Sequence, residues 1–266
     1  MVGGDIDSQN DINESARLLR TMRVIECVSE SILPVSVAQL SQRTDIPKAT
    51  LARIIGPLIS SGYLALLPGG KSLVPGPKSA QMALRILGNG QFRRECQNVL
   101  REAVHHLGET CNLTARDGDC VMYIERIETI EPLRMHLEPG TRAPLHCTAG
   151  GKMFLSQMGR DELERFMSTL TLKKCTNATI ISPKELSLEL ARLNKLGIGL
   201  DNEEFIAGMV GVAVPIRIKR SEQPVAALVC HAASARLPLI ELQKKIPVLE
   251  AYAKKIEGLL GSRSAA

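Results

Sequence analysis

The chain has no tryptophan, and only three tyrosines and four phenylalanines among 266 residues. Its interior must be built mostly from Leu, Ile, Val, Ala and Met, and the scarcity of stacking platforms weakens a single-stranded nucleic-acid reading. No apolar run reaches the ~18 residues of a transmembrane helix. The opening Met1-Val2-Gly3-Gly4-Asp5-Ile6-Asp7 is too polar and acidic for a signal peptide. A cytoplasmic protein without a membrane partner is expected. The seven cysteines form no C-x-x-C pair and no zinc-knuckle spacing, so they read as reduced thiols. G-x-S-x-G, P-loop and H-E-x-x-H motifs are all missing. His105 and His106 project about 100° apart on a helix and cannot share a metal locally. His146, Cys147, Cys230 and His231 show no ligand spacing either. No metal or other cofactor is expected.

What is present points elsewhere. The length suits two domains. The net charge of +5 is modest, but its distribution is uneven. Between Ser31 and Lys78 the single acid is Asp45, against Arg43, Lys48, Arg53, Lys71 and Lys78. That basic stretch suits a phosphate backbone. It coincides with a helix-turn-helix pattern. Ser36-x-x-Gln39 is a capping box opening a short helix through Leu40. Pro47 fits the first turn of a second helix, whose inward stripe is Leu51, Ile55 and Leu58, flanked by Ile54. Ala49, Ala52 and Arg53 point the other way, with Lys48 and Thr50 at the sides. Pro57 removes a bond to the Arg53 carbonyl, so a kink near Gly56-Pro57 is predicted. Gly62 stops the helix, and the stretches 63–66 and 72–74 around Pro68-Gly69-Gly70-Lys71 form a small wing. A preceding helix over about 14–29 carries Leu18, Met22, Ile25 and Cys27 or Val28 at helical spacing.

Pro75-Gly76-Pro77 marks a boundary, followed by a linker helix and a Gly88-Asn89-Gly90 break. A helix over about 92–107 leads into short strands at 111–116, 121–127 and 133–137, with Asp117-Gly118-Asp119 as a hairpin turn. Helices follow at about 152–158, 161–168 and 183–196, the last opened by the capping box Ser182-Pro183-x-Glu185 and closed by Gly197. Buried strands at 211–218 and 225–231 and a helix over about 238–260 complete an α+β second domain with an antiparallel sheet.

The chain resembles IclR-type bacterial transcription regulators over nearly its whole length. The resemblance rests on Ser15-Ala16-Arg17-Leu18-Leu19-Arg20, Ile46-Pro47-Lys48-Ala49-Thr50-Leu51-Ala52-Arg53, Tyr123-Ile124-Glu125-Arg126, Pro144-Leu145-His146-Cys147-Thr148-Ala149-Gly150-Gly151-Lys152 and Gly197-Ile198-Gly199-Leu200-Asp201-Asn202-Glu203-Glu204-Phe205 in family order. The polar residues 1–12, with Asp5, Asp7 and Asp11, are expected to be a disordered tail, and the resemblance implies a winged helix-turn-helix domain (13–76), a linker helix (77–91) and a GAF-like effector domain (92–262). It also implies operator DNA as partner, a small organic-acid effector, repression or activation of a catabolic operon, and assembly as a dimer or dimer of dimers through the first and linker helices. Residues expected at DNA are Arg17, Arg20, Ser36, Lys48, Ala49, Thr50, Arg53 and Lys71. Those expected at the effector are Leu137, Leu145, Thr148, Ala149, Gly150, Gly151, Asp201, Glu203, Gly211, Val229 and His231. The helix start at 148–151 offers backbone N–H groups to a carboxylate. Ala49 stands where the family has a small hydroxyl residue, and Ala52 where a His or similar residue is frequent. Gly211, Val229 and His231 replace the family's Cys and two Ser. A competing reading is a small α+β enzyme using His146 and Cys147, and a third is a DNA-binding protein without effector control.

Overall fold

The computed structural model describes residues 4–31, 33–87, 90–218 and 223–261. They form two compact units, Met1–Asn89 and Gly90–Ala266. The Gly88-Asn89 part of the expected helix break lies outside the described residues.

The first unit contains α1 (Gly4–Ser29), β1 (Val35–Ser36), α2 (Val37–Thr44), α3 (Lys48–Ser60), β2 (Leu64–Leu66), β3 (Ser72–Pro75) and α4 (Pro77–Leu87). α1 begins ten residues before the expected start, so the expected disordered tail is helical from Gly4 onward. Residues 5–12 contain neither glycine nor proline, so nothing there breaks a helix. The buried face of α1 also differs from expectation. Val24 and Val28, four residues apart, enter the core, whereas Leu18 and Met22 are 64% and 47% exposed. Val24 and Val28, with Ile25 and Cys27 beside them, pack in the core that α2, α3 and β3 share.

Ser36 caps α2 as expected: its hydroxyl accepts the Gln39 N–H, and the Gln39 side chain accepts the Ser36 N–H at 2.9 Å. Asp45 ends α2 in the left-handed region (φ 56°), which turns the chain by one short step into α3. Leu51, Ile54, Ile55 and Leu58 are all buried against Val24, Val28 and Leu40. α3 continues through Pro57 to Ser60. Pro57 sits close enough to the end that one lost ladder bond does not terminate the helix. β2 and β3 form the expected wing, and β1 adds a third strand in the order β1-β3-β2. β1 is two residues long and pairs with residues far along the chain, which a local pattern does not reveal.

The second unit contains α5 (Gly90–Leu107), β4 (Thr110–Asp117), β5 (Cys120–Ile127), β6 (Arg142–Pro144), α6 (Ala149–Ser156), α7 (Arg160–Met167), α8 (Pro183–Leu196), β7 (Gly199–Asn202), β8 (Met209–Ile216), β9 (Ala226–Ala233), α9 (Leu239–Gln243) and α10 (Ile246–Gly261). The six strands form one antiparallel sheet in the order β6-β5-β4-β9-β8-β7. α5 and α10 cover one face through Leu100, Ala103, Leu107, Leu249, Tyr252 and Ile256. α6 lies on the other face, backed by α8.

Two expected elements are corrected. Residues 133–137 are not a strand; the third strand of the meander is β6. The Met135 carbonyl is taken by the Arg126 guanidinium, and Arg134 and His136 are held on Glu128, so this segment is tied down by side chains instead of a ladder. The expected final helix is two helices. Pro247 cannot donate to the Gln243 carbonyl, and the chain restarts at Ile246.

α6 approaches the sheet more closely than side chains allow. A Cβ on Gly199 would overlap the Ala149 carbonyl and the Met153 backbone, and one on Gly151 would overlap Leu145. Gly199→Ala is therefore expected to destabilise the second unit by about 1–3 kcal/mol or more. Gly258→Ala, with open space in α10, should be neutral or stabilising by about 0.5–1 kcal/mol. Urea unfolding of the two variants beside the parent checks both signs.

Candidate functional site

The outer face of α3 is small and basic. Lys48, Ala49, Ala52 and Arg53 are exposed and Thr50 is half-buried, opposite the buried Leu51-Ile55-Leu58 stripe. Lys48 and Arg53 make no side-chain hydrogen bond or ion pair with the described residues, so their charges are uncommitted. Lys71 is exposed at the wing turn, where Gly69 and Gly70 have φ 104° and 70°. Arg17 and Arg20 are exposed on α1. Ser36 differs from the others, because its hydroxyl is already engaged with Gln39.

The second candidate site is the sheet face under α6. Strand alternation sorts the residues. Cys111, Leu113, Leu228, Cys230, Val210 and Val212 face α5 and α10. Thr110, Asn112, Thr114, Val229, His231 and Gly211 therefore face the other way. Asp201 pairs with Gly211, Gly211 with His231, and His231 with Thr110. The first turn of α6 sits directly on this row. A Cβ on Gly150 would lie 3.0 Å from Thr114 Oγ1 and 3.3 Å from Val229 Cγ2. A Cβ on Gly211 would lie 2.9 Å from His231 Nδ1 and 3.4 Å from the Ala149 methyl.

Thr148 caps α6, its hydroxyl accepting the Gly151 N–H at 3.2 Å. The N–H groups of Ala149 and Gly150, at the first two helical positions, have no intrahelical acceptor. Leu145 is buried beside Gly151. The structure thus brings Leu145, Thr148, Ala149, Gly150, Gly151, Asp201, Gly211, Val229 and His231 together. Leu137 is half-buried in the 133–137 segment. Glu203 is not part of the cluster: it adopts φ 59°, and its carboxylate accepts the Gly208 N–H at 2.8 Å, closing the β7–β8 turn.

Three further residues complete the face. Between Leu113 and Thr114 the β4–β5 register shifts by one, leaving Ile124 as the extra residue of a bulge. Tyr123 and Arg126 are three apart and would otherwise point to opposite faces; the bulge puts Tyr123 opposite Thr114 and Arg126 opposite Asn112. Arg126 Nη1 donates to Asn112 Oδ1 at 2.7 Å and Nε to Glu128 at 3.1 Å. The Tyr123 and His231 rings are 6.5 Å apart. Alternating Thr110-Cys111-Asn112-Leu113-Thr114 carries a signal for the polar face, but the bulge hides the contribution of Arg126.

The electrostatics are those of a buried site. Burial, with the Arg126 charge adding to it, pushes His231 down to about 3, so its imidazole is neutral. Burial pushes Asp201 up to about 7, although its carboxylate accepts the Glu204 N–H at 2.8 Å. Burial pushes Tyr123 up as well. His231 Nε2 and Asn112 Nδ2 are buried without a hydrogen-bond partner. Beside Asp201, the buried Lys152 ammonium pairs with Glu204, next to a cavity of ≈ 310 Å³ that Asn202, Glu189 and Arg192 also line.

The pair His146 and Cys147 lacks the arrangement of a nucleophile and base. His146 Nε2 meets the Lys173 carbonyl at 2.9 Å, and burial lowers its basicity. Burial, then Cys175, Asp201 and Glu204, hold the Cys147 thiol protonated.

Comparison with known proteins agrees with this division. Residues 18–68 match the IclR helix-turn-helix domain, and residues 85–258 match the bacterial transcriptional regulator IclR C-terminal domain. The chain is 34% identical over 244 residues to the probable transcriptional regulator SauR of Cupriavidus necator, covering 92% of this chain and 96% of that protein. It is 30% identical over 261 residues to the HTH-type transcriptional regulator KdgR of Escherichia coli, covering 98% of each. The crystal structure of a putative transcriptional regulator from Rhodococcus superposes with a TM-score of 0.62 at 26% identity, covering 92% of this chain and 98% of that one. The chain belongs to the IclR family of bacterial DNA-binding transcription regulators and is not an enzyme.

Proposed function

We propose that the second unit binds a small organic acid under α6 and that occupancy of this site sets the affinity of a homodimer, or dimer of dimers, for operator DNA. The observation that carries this reading is the buried α6 N-terminus itself. The Ala149 and Gly150 N–H groups have no intrahelical acceptor, and the strand face under α6 carries the neutral His231 and Asn112, each with a buried nitrogen unpartnered among the described residues. Buried polar atoms left unpaired cost about 1–3 kcal/mol each, so a ligand that pairs them is favoured. A carboxylate suits the N–H groups and the positive helix end. The two glycines at 150 and 151 let the helix start seat closely on Thr114, Val229 and Leu145, and Val229 and Leu145 supply apolar wall beside the N–H groups. His231 can pair with a hydroxyl or carbonyl on the same molecule. With an imidazole here and no hydroxyl at 211 or 229, the site favours acids larger than the smallest keto acids.

On the DNA side we assign base reading to Lys48, Thr50 and Arg53, with Ala49 offering a methyl contact to thymine. Arg17, Arg20 and Lys71 are assigned to phosphates, and Ser36 contributes by fixing the start of α2. The domains of this reading are 13–76 for DNA, 77–91 as linker and 92–262 for the effector.

Two measurements follow. In gel-shift titrations with the DNA flanking its own gene, Arg53→Ala should lose about 1–3 kcal/mol of discrimination between that DNA and a scrambled duplex. Unchanged preference removes Arg53 from the reading. In a thermal-shift screen of pyruvate, 2-oxoglutarate, benzoate and 4-hydroxybenzoate, at least one acid should raise Tm. Its affinity should fall as pH rises through about 7, because the Asp201 carboxyl then ionises beside the anion. Asp201→Asn should flatten that dependence. A pH-independent affinity in the parent protein contradicts the placement of the acid beside Asp201.

A further inference from the structure

Among the contacting thiols, one pair reaches solvent. Cys147 Sγ and Cys175 Sγ are 3.8 Å apart. Cys147 is fully buried, one residue before the Thr148 cap of α6. Cys175 is exposed, in the segment between α7 and α8. That segment is pinned where the thiols meet. The Lys173 carbonyl lies 2.9 Å from His146 Nε2. Thr179 Oγ1 accepts the Cys175 and Thr176 N–H groups at 3.0 and 2.7 Å and donates to the Glu204 carbonyl at 2.6 Å. Cys111 and Cys230 are also opposite one another, across β4 and β9, but both are fully buried in the core. An oxidant in solution can reach the first pair and not the second.

We propose that Cys147 and Cys175 are a redox modification site: a hydroperoxide oxidises Cys175, and Cys147 closes a reversible disulfide. The Cys175 thiolate attacks one oxygen of ROOH; the O–O bond breaks, the sulfenic acid forms, and ROH leaves with the proton lost by the thiol. The Cys147 sulfur then attacks the sulfenic sulfur. The S–S bond forms, the S–O bond breaks, and water leaves carrying the Cys147 proton. Two thiols lose two electrons and the peroxide gains them; a small-molecule dithiol reverses the reaction by exchange. The order of events follows from access, since the buried Cys147 is protonated and shielded whereas Cys175 faces solvent.

Bond formation draws the sulfurs from 3.8 Å to about 2.05 Å. The pull acts on Thr148 from one side and on the Thr176–Thr179 contacts to Glu203 and Glu204 from the other. Glu204 in turn donates its N–H to Asp201. Oxidation therefore reshapes the α6 site; calling this a control of acid binding rests on the function proposed above, whereas the disulfide does not.

The test uses the reduced full-length protein without added acid. After hydrogen peroxide, alkylation should count five free thiols instead of seven, peptide mapping should find 147 linked to 175, and dithiothreitol should restore seven. Cys175→Ser should keep all its remaining thiols. Cys147→Ser should yield a dimedone adduct at Cys175 and no crosslink within the chain. Thiol loss that persists in Cys175→Ser, or a crosslink through Cys27 or Cys120 instead, overturns the proposal. Hydrogen exchange of peptides spanning 148–156 and 199–206 should differ between oxidised and reduced protein. Identical exchange overturns the link to the α6 site while leaving acid binding by the reduced protein unaffected.

Discussion

The contact on which the second unit depends is the seating of the first turn of α6 on the sheet. Gly151, Gly199 and Gly211 have no side chains where backbone meets backbone or imidazole, and Gly150 has none where the helix meets the Thr114 and Val229 side chains. This close approach sets the free N–H groups of a helix start against the middle of a buried strand face. Both the polar character of the site and its burial follow from it. His231 is neutral and Asp201 holds its proton to about 7 because both are buried. The same packing keeps Cys147 buried beneath the capping residue.

A second constraint is the bulge in β5. It costs one ladder position at Ile124, and it turns Arg126 to the side of Asn112, His231 and the 133–137 segment. Arg126 is thereby shared between the floor of the site and the segment beside it. Glu128 holds the outer side of this arrangement. Its burial alone would raise its pKa, but hydrogen bonds from Arg134, His136 and Arg126 bring it down to about 2, so it remains a carboxylate.

Local chemistry was readable in the sequence and non-local chemistry was not. Ser36 with Gln39, Gly197 and the Asp117-Gly118-Asp119 turn each act over a few residues and appear as expected, and of the Ser182–Glu185 capping box the Ser182 hydroxyl's bond from the Glu185 N–H is present. β1, β6 and β7 depend on partners elsewhere in the chain, so their patterns carried little signal. α1 shows the same limit from the other side: Leu18 and Met22 have helical spacing, but which face is buried is decided by α2 and β3. For the site, resemblance supplied the residues from Thr148 to Gly151 and the trio Gly211, Val229 and His231. It could not supply Asn112, Tyr123 and Arg126, whose common face exists only because of the bulge. Glu203 illustrates the reverse, since its neighbours are at the site while a left-handed backbone turns its carboxylate to Gly208.

The central claim is that the α6 site and the α3 surface belong to one thermodynamic switch. Linkage makes this directly measurable, because coupling between two binding events is reciprocal. The dissociation constant of the acid that raises Tm should be measured by calorimetry with and without saturating operator DNA. The operator dissociation constant should be measured with and without that acid. The account predicts that both change by the same factor, in the range of about 5–150-fold. Operator affinity that is identical with and without saturating acid would contradict it.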